Sequence, residues 1–238
     1  MKLSDRPSMI VGLARKTEVA ADVGCDHAHI SIELLERGVA KRCIATDIIP
    51  GPLEKAAENI ERYGAKSIEL RLCDGVSGLK PGEAGLIIVA GMGGRVMSDI
   101  IIKGKEVFLS AQQAIFQPQS EFGLVRHALE DIGMVIDRES ICREGNKYYR
   151  ALSSIANKDS DYAGNNFFPY NNEFMYEYGR ILLDEKNELL ISYLKKRYER
   201  TTIIKEKIES TGVVQTVDND NDVELQLVTD ALKYMNLL

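Results

Sequence analysis

Acidic and glycine-rich segments follow four apolar runs of this chain, in order along the sequence. The segments are Asp22–His27, Asp47, Asp74–Gly75 and Gly91–Gly94. A carboxylate at such a position can accept hydrogen bonds from ribose hydroxyls or from an adenine edge, and a glycine lets a ligand approach the backbone closely. Together the four segments predict a binding site for a nucleotide-like ligand.

The residues of the first segment distinguish between two classes of such ligand. The phosphate-binding fingerprint of dinucleotide sites needs glycines at positions where this chain has Asp26 and His29. Asp26 would repel a pyrophosphate at the start of the following helix, whereas S-adenosylmethionine carries an ammonium and a sulfonium group that carboxylates attract. The sequence therefore favours S-adenosylmethionine over NAD.

The elements that would carry these segments alternate between strand and helix. Apolar runs rich in β-branched residues occur at Val19–Val23, Cys43–Thr46, Ile68–Cys73, Leu86–Ala90, Ala114–Phe116, Met134–Ile136 and Tyr148–Ile155. Segments with helical spacing lie between these runs and end at Gly38, at Gly64, near Gly104 and at Gly133. This alternation predicts an α/β fold whose parallel sheet is covered on both faces.

The last two strand candidates depart from this alternation. Only Cys142–Lys147 separates them, and a parallel crossover needs about a dozen residues or more. We therefore expect an antiparallel hairpin at the end of the sheet. This arrangement is typical of the Rossmann-like sheet of class I methyltransferases rather than of dinucleotide-binding domains.

The composition changes after the last strand candidate. The segment 158–172 is rich in Asn, Asp and aromatic residues without a period, so we expect a linker. Apolar residues at helical spacing follow from Glu173 to about Ser210 and again from Val223 to Leu237. The acidic turn Asp218–Asp222 would separate them and could also cap the second helix. The predicted organisation is a Rossmann-like domain over residues 1–157, the linker, and a small α-helical, coiled-coil-like domain over residues 173–238.

Composition narrows the classes of function. The chain of 238 residues has a formal net charge of −6, which argues against a protein that coats nucleic acid through its overall field. No apolar run approaches the length of about 18 residues that a membrane span needs, and no signal peptide is evident. The four cysteines form no C-x-x-C pair, so we expect reduced thiols, no metal site and a cytoplasmic protein. Oligomeric state is left open, with a monomer favoured.

Several of these segments also carry a family resemblance. The sequence resembles the bacterial tRNA (adenine-N1)-methyltransferases that act on adenine 22, called TrmK, over about the first 155 residues, and its Glu177–Gly179 segment and helical tail also look like that family. The shared elements are Leu3–Arg6, Ala21–Ala28, Gly51–Leu53, Asp74–Gly75, Ala90–Gly94, Gln117–Pro118 and Lys147–Tyr149. The resemblance implies S-adenosyl-L-methionine as methyl donor and N1 of a tRNA adenine as acceptor.

The resemblance and the strand-end positions together assign roles to individual residues. We expect the donor to contact Asp22, Gly24, Cys25, Asp26, His27, Asp47, Asp74, Gly75, Gly91, Met92 and Gly93. We expect the target base and its neighbourhood to contact Arg6, Gly94, Arg95, Gln117 and Pro118. Because adenine N1 already has a lone pair, catalysis needs positioning and charge stabilisation more than a strong base. Asp22 and Asp26 are the catalytic candidates, and the backbone carbonyls of Gly91–Gly94 are the alternative.

An acidic protein that binds tRNA needs local basic surface. Six Lys and Arg residues lie between Lys195 and Lys207, against Glu199 and Glu206. Within this run the predicted RNA contacts are Lys195, Lys196, Arg197 and Arg200.

Two alternatives to a tRNA methyltransferase remain at this stage. One is a methyltransferase acting on a small molecule or a protein, and the other is a non-catalytic module that senses the donor while its helical tail recruits a partner.

Overall fold

The computed structural model describes residues 4–157, 170, 172–211 and 217–238. The chain divides into two compact units, Met1–Phe167 and Phe168–Leu238. The predicted linker, residues 158–172, lies outside the described residues except for Tyr170 and Asn172. Its boundaries therefore stay a prediction.

A seven-stranded mixed sheet forms the centre of the first unit. Its strands are β1 (Thr17–Val23), β2 (Ala40–Asp47), β3 (Ile68–Leu72), β4 (Leu86–Ala90), β5 (Gln113–Gln117), β6 (Met134–Glu144) and β7 (Lys147–Ala156). Their order is β3-β2-β1-β4-β5-β7-β6. β1 to β5 pair in parallel, whereas β7 runs antiparallel to both β5 and β6. The predicted Rossmann-like sheet with a terminal antiparallel hairpin is confirmed.

Helices accompany the sheet, and the central strands are buried between the layers. The helices of this unit are α1 (Asp5–Leu13), α2 (His29–Glu36), α3 (Pro50–Tyr63), α4 (Gly94–Lys103), α5 (Lys105–Ser110) and α6 (Phe122–Ile132). The residues of β4 from Leu86 to Val89 are fully buried. A continuous apolar run of this kind is what a parallel strand covered on both faces requires.

The parallel register brings four strand ends to one edge of the sheet. Val23 of β1 pairs with Thr46 of β2 and with Val89 of β4, and Asp47 pairs with Leu72 of β3. The loops that follow these strands therefore lie side by side. This edge is where an open parallel sheet binds its ligands.

The hairpin is longer than the sequence analysis predicts. β6 continues from Ile136 to Glu144, and its strands are joined by a two-residue turn in which Gly145 has a φ of 57°. Because polar residues follow Ile136, the apolar pattern in the sequence ends before the strand does. Glu139 is buried because it accepts a hydrogen bond from Arg126 Nε of α6 at 3.1 Å, a pairing that spacing does not show.

Two short helices were not predicted. α1 contains Pro7 in its first turn, where proline is tolerated, and buries Ile10, Val11 and Leu13. α5 has six residues and buries only Phe108. Segments this short contain too few turns for an apolar period to be recognised.

The second unit is helical. Its helices are α7 (Glu173–Tyr178), α8 (Arg180–Asp184), α9 (Glu188–Thr211) and α10 (Val217–Tyr234). α9 packs against α10 and buries Leu190 and Leu194, while α10 buries Val228 and Leu232. Within the described residues, no helix combines the length and the apolar character needed to cross a membrane.

Two details of this unit differ from the prediction. The helical region after Glu173 is interrupted at Gly179, whose φ of 94° does not fit a helix. The acidic segment Asp218–Asp222 is not a turn, because α10 begins at Val217. Aspartates in the first turns of a helix are stabilised by the partial positive charge of its N-terminus, so the acidic cluster starts the helix rather than preceding it.

Candidate functional site

A cavity of about 600 Å³ lies at the edge where β1, β2, β3 and β4 end. It is lined by side chains and backbone from α1 and from the loops after all four strands. The predicted site residues among its lining are Arg6, Asp22, Gly24, Cys25, Asp26, His27, Asp47, Asp74, Gly75, Gly91 and Met92. The sheet topology thus gathers residues that are up to 86 positions apart, from Arg6 to Met92.

Asp22, near the end of β1, is buried at the floor of the cavity. Its Oδ2 accepts hydrogen bonds from the backbone N–H and the hydroxyl of Ser31, at 3.2 and 2.8 Å. Burial raises the pKa of Asp22 from 3.8 to about 6, although the Ser31 hydrogen bonds lower it. The carboxyl group therefore changes its charge close to neutral pH.

The loop after β1 follows an unusual backbone path. Gly24, Asp26 and Ala28 all have positive φ values, of 69°, 47° and 58°. The N–H groups of Gly24 and Cys25 both donate to the Thr46 carbonyl of β2, at 2.8 and 2.9 Å, which holds the loop on the sheet. Burial raises the pKa of the Cys25 thiol, so this cysteine remains protonated.

Asp26 is the exposed carboxylate of this loop. Its side chain is 73% exposed, and its Oδ1 lies 3.6 Å from His27 Nε2. Asp22 and Asp26 therefore differ: one is a buried group held by Ser31, and the other is an accessible anion at the rim.

The loops after β2 and β3 provide two further carboxylates. Asp47 Oδ1 accepts a hydrogen bond from the Ile49 N–H at 3.0 Å, and the neighbouring Ile48 and Ile49 line the cavity while more than half exposed. Asp74 is exposed at the end of β3. These loops therefore combine carboxylate acceptors with apolar side chains that can cover a flat ring.

The glycine segment after β4 is shaped by close neighbours. Gly91 has a φ of 82°, and a Cβ on it would lie 2.8 Å from Arg6 Nη2. A Cβ on Gly94 would collide with the Glu121 and Ser120 carbonyls, and one on Gly24 would collide with the methyl group of Met92. The positive φ of Gly91 favours glycine there, and a Cβ would also require the Arg6 guanidinium to shift.

Arg6 enters the cavity from α1 and is held on several sides. Its Nε donates to Gln117 Oε1 at 2.6 Å, and its Cζ lies 5.3 Å from the centroid of the Tyr149 ring. Its backbone N–H donates to Glu144 Oε1 at 2.7 Å, which is the main reason that the pKa of Glu144 is lowered. Strands β5, β6 and β7 thus fix this arginine.

Comparison with known families identifies the fold that carries this cavity. Residues 3–152 match the family model described as "Methyltransferase domain". This chain belongs to the methyltransferase-domain family. All four strand-end loops and Arg6 lie within the matched residues of the methyltransferase domain.

Individual relatives of this methyltransferase were also found. It is 29% identical over 214 residues to the tRNA (adenine(22)-N(1))-methyltransferase of Bacillus subtilis, covering 89% of this chain and 88% of that protein. The crystal structure of the Bacillus subtilis enzyme TrmK has a TM-score of 0.77 and 27% identity, covering 99% and 97% of the two chains. A candidate enzyme of this kind from Streptococcus pneumoniae, in complex with S-adenosyl-L-methionine, has a TM-score of 0.81 and 27% identity, covering 97% and 100%.

Some predicted site residues of the methyltransferase do not line the cavity. Gly93 and Gly94 are not among its lining residues, and Arg95 is exposed at the start of α4 with its Nη2 3.5 Å from Glu121 Oε1. Gln117 and Pro118 are buried. They do not line this cavity, and Gln117 Oε1 instead accepts a hydrogen bond from Arg6 Nε. Their contact with the target base stays a prediction.

The predicted basic residues on α9 belong to the second unit. Lys195, Lys196 and Arg200 are exposed. Arg197 is not, because its Nη2 lies 2.5 Å from Glu224 Oε1 of α10 and its Cζ lies 5.6 Å from the Tyr193 ring centroid. The four residues therefore do not form one continuous exposed surface.

Sequence reasoning missed most of the apolar lining of the cavity in the methyltransferase domain. The additional lining residues include Pro7, Ile10, His29, Ile48, Ile49, Pro52, Val96, Ile100 and Gln119. Ile48 and Ile49 follow Asp47 directly, so their position after a strand end was a usable signal. Val96 and Ile100 reach the cavity because of the rotation of α4 about its own axis, which the sequence does not specify.

Across the described part of the chain, no cluster of three or more His, Cys, Asp or Glu side chains could hold a metal ion.

Proposed function

We propose that this chain is an S-adenosylmethionine-dependent methyltransferase that methylates N1 of adenine 22 in tRNA. The observation that carries the proposal is the cavity at the ends of β1 to β4, in a chain of the methyltransferase-domain family. Its relatives of known specificity, such as the Bacillus subtilis enzyme, support the tRNA substrate.

The residues of the cavity fit the donor. A volume of about 600 Å³ lies within the usual range of small-molecule sites. Asp47 and Asp74 offer carboxylate oxygens to hydroxyl and amino groups, and Ile48 and Ile49 offer apolar surface to a purine ring. Gly24 and Gly91 leave space beside the backbone. Of the predicted donor contacts, only Gly93 is not a lining residue.

The negative charge of the cavity favours a cationic ligand. Asp22, Asp26, Asp47 and Asp74 all line the cavity, and their field favours the sulfonium and ammonium groups of S-adenosylmethionine while it opposes a pyrophosphate. S-adenosylmethionine, when bound, supplies a methyl group whose bond to sulfur breaks as the lone pair of adenine N1 forms the new bond to carbon.

The protein contributes position and electrostatic stabilisation to this reaction. Positive charge passes to the adenine during the transfer, and a carboxylate near the ring stabilises it. Asp26 is our candidate for this contact because it is exposed at the rim, and Asp22 contributes through its charge from the floor of the cavity. No strong base is needed, because N1 is a nucleophile without deprotonation.

The tRNA reaches the cavity from its open side. An enzyme cannot methylate N1 in a stacked or paired base, so adenine 22 must be unpaired or extruded. We propose that Arg6, Gly94 and Arg95 lie beside the target base and that Gln117 and Pro118 support this side of the site. We also propose that the exposed Lys195, Lys196 and Arg200 of α9 contact phosphates. We place the enzyme in the cytoplasm and expect it to act as a monomer without a metal ion.

Methyl transfer to defined transcripts tests the proposal. An unmodified tRNA with adenine at position 22 is incubated with the protein and S-adenosylmethionine, and N1 methylation is mapped by reverse-transcription stops. We expect a stop at position 22 that is absent from a matched transcript with guanine there. Donor binding without any tRNA product would contradict the proposed substrate and favour a small-molecule or protein acceptor. A lack of donor binding would contradict the proposed activity itself.

A further inference from the structure

The β6–β7 hairpin projects past the edge of the sheet that carries the cavity. Phe116, near the end of β5, pairs with Leu152 of β7, and the residues of β7 from Lys147 to Ala151 lie beyond this pair. Because an antiparallel strand rises about 3.4 Å per residue, the hairpin extends about 15 Å beyond Phe116. Its end, residues 143–148, is called the hairpin tip below. In the order β4-β5-β7 it stands two strands away from β4, whose end carries Gly91 of the cavity.

One face of the hairpin tip supports α1. Glu144 Oε1 accepts a hydrogen bond from the Arg6 N–H at 2.7 Å. The Ser4 hydroxyl and the Asp5 N–H donate to the same carboxylate. Glu144 is the only acidic residue of the hairpin tip. Its negative charge is therefore directed at the N-terminus of α1, where the partial positive charge of the helix stabilises it.

The other face of the hairpin tip carries Arg143 directly opposite Tyr148. The Nε of Arg143 donates to the Gly145 carbonyl at 2.8 Å, and its Cζ lies 5.6 Å from the centroid of the Tyr148 ring. Neither contact uses the two Nη groups. Because side chains alternate along a strand, Arg150 shares this face, and its Cζ lies 3.7 Å from the ring centroid of Phe122 in α6. This face therefore lies on the α6 side of the sheet, away from α1.

The two cations of the hairpin tip have no acidic partner. Arg143 and Lys147 are both exposed, and within the described residues no carboxylate forms an ion pair with either of them. Elsewhere in the sheet unit, Arg15, Arg42 and Arg71 each pair with an Asp or Glu side chain. The hairpin tip is thus a local positive surface in a chain of net charge −6.

The location and the charge of the hairpin tip together indicate its partner. A target base that enters the cavity must leave its stack, and the phosphates on either side of it then lie at the same edge of the sheet. The paired Nη groups of an arginine match two oxygens of a phosphate. A small acceptor molecule that fits inside the cavity would not reach the hairpin tip, whereas a polynucleotide backbone extends past it.

We propose that the hairpin tip binds the tRNA backbone beside the target nucleotide, with Arg143 holding one phosphate through its two Nη groups and Lys147 contacting another. This inference rests on the proposed function. It adds to the basic residues of α9 a contact within the domain that performs the methyl transfer.

Binding of unmodified tRNA at several salt concentrations tests the proposal. The double variant Arg143→Gln with Lys147→Gln should weaken tRNA binding about threefold to tenfold and reduce the slope of log affinity against log salt concentration by about 1 to 2. Arg143→Lys alone should keep the slope and lose part of the affinity, because it keeps the charge without the paired N–H groups. Thermal melting verifies that the variants are folded. Calorimetry should give an unchanged affinity for S-adenosylmethionine, because no residue of the hairpin tip lines the cavity.

A tRNA with a single neutral methylphosphonate beside adenine 22 tests the position of the contact. This linkage should weaken binding to the wild-type protein and have little further effect on the double variant, since both changes remove the same interaction. Equal losses in the two proteins would show that the hairpin tip does not contact the phosphates beside the target, and would overturn the proposal.

The matched control removes the same charges at the opposite edge of the sheet. Arg62→Gln with Lys66→Gln changes an exposed arginine and an exposed lysine at the end of α3 and before β3, and tRNA binding should stay normal. An equal loss in this control would overturn the proposal, because only the overall charge would then matter. Unchanged tRNA affinity and salt slope in the hairpin variant would also overturn it. So would a parallel loss of donor affinity, because the hairpin would then act by supporting α1. If the wild-type protein binds no tRNA, the proposed function fails together with this inference.

Discussion

The sheet unit and the helical unit hold their charged residues in different ways. At the sheet edge, Asp22, Asp47 and Asp74 lie at the ends of three parallel strands, so the topology brings them together, and Arg6 donates a hydrogen bond from its Nε to the neutral Gln117. On α9, two cations of the basic run are paired with α10: Arg197 with Glu224 at 2.5 Å and Lys205 with Asp222 at 2.9 Å.

This difference shows under which conditions the sequence position of a charged residue indicates whether the residue can bind a ligand. A carboxylate after a parallel strand faces the ligand-binding edge because the backbone leaves it there. A cation on a helix is available only if the neighbouring helix presents no acid to it. The sheet edge can therefore be tested through ligand binding, and α9 through the contrast between its exposed and its paired cations.

The largest effect is expected at the end of β2. Asp47→Ala removes the carboxylate that we propose for the ribose hydroxyls, and donor binding should weaken by about 1–3 kcal/mol through lost charge-assisted hydrogen bonds. Calorimetry with S-adenosylhomocysteine measures the change. Glu54→Ala, on the exposed side of α3, is the control and should bind normally. Unchanged affinity in Asp47→Ala would remove Asp47 from the site.

The second prediction concerns the charge of Asp22. Its pKa of about 6 means that the carboxyl group is mostly protonated at pH 5 and ionised at pH 7, and the ionised form attracts the cationic donor. Affinity for S-adenosylmethionine should therefore fall by up to about tenfold per pH unit below pH 6. Asp22→Asn should bind weakly and lose this part of the pH dependence; a pH profile equal to that of the wild type would contradict the assignment.

Asp22 should also affect stability, with the opposite trend. Because its pKa is higher in the folded protein than the unfolded value of 3.8, the folded state keeps the proton more tightly. The contribution of Asp22 to the free energy of unfolding therefore decreases as the pH rises from about 4 to 6, and stays constant above that range. Thermal melting of Asp22→Asn should show a larger gain over the wild type at pH 7 than at pH 4. An equal difference at both pH values would exclude the effect.

A smaller effect is expected on the exposed surface of α9. The double variant Lys195→Gln with Arg200→Gln removes two exposed cations, and tRNA binding should weaken about threefold to tenfold with a smaller dependence on salt. Donor affinity measured by calorimetry should not change. If tRNA affinity and its salt dependence equal those of the wild type, α9 does not contact RNA.

The smallest effect is expected at the paired cation of α9. Arg197→Gln breaks the ion pair with Glu224, and the free energy of unfolding should fall by about 1 kcal/mol or less. Because this arginine already has an acidic partner, tRNA affinity should stay within about twofold of the wild type. A loss of tRNA affinity as large as that of the double variant would show that pairing with α10 does not withdraw Arg197 from the RNA surface.

The sequence predicted those parts of the molecule that depend on local patterns. Alternating apolar runs predicted the order of strands and helices, and the short segment before Lys147 predicted the antiparallel hairpin. Because parallel strands end at one edge, Asp22, Asp47, Asp74 and Gly91 could be placed in one site before any contact was known. Each of these inferences uses residues that are close in the sequence or a rule of topology.

The remaining features depend on partners that are distant in the sequence. Arg6 and Gln117 are 111 positions apart, and no pattern shows that the amide oxygen of Gln117 faces the arginine. The burial of Glu139 depends in the same way on Arg126. Clustered aspartates favour both turns and the beginnings of helices, so the sequence predicts a turn at Asp218–Asp222 that can cap the second helix, but not that α10 begins as early as Val217.

A crystal structure of the protein with bound S-adenosylhomocysteine tests the central claim most directly. The account predicts that the compound occupies the cavity at the ends of β1 to β4, with its ribose hydroxyls at Asp47 and its adenine beside Ile48 and Asp74. Density for the compound anywhere else, or NAD bound against Gly24 in a parallel soak, would contradict it.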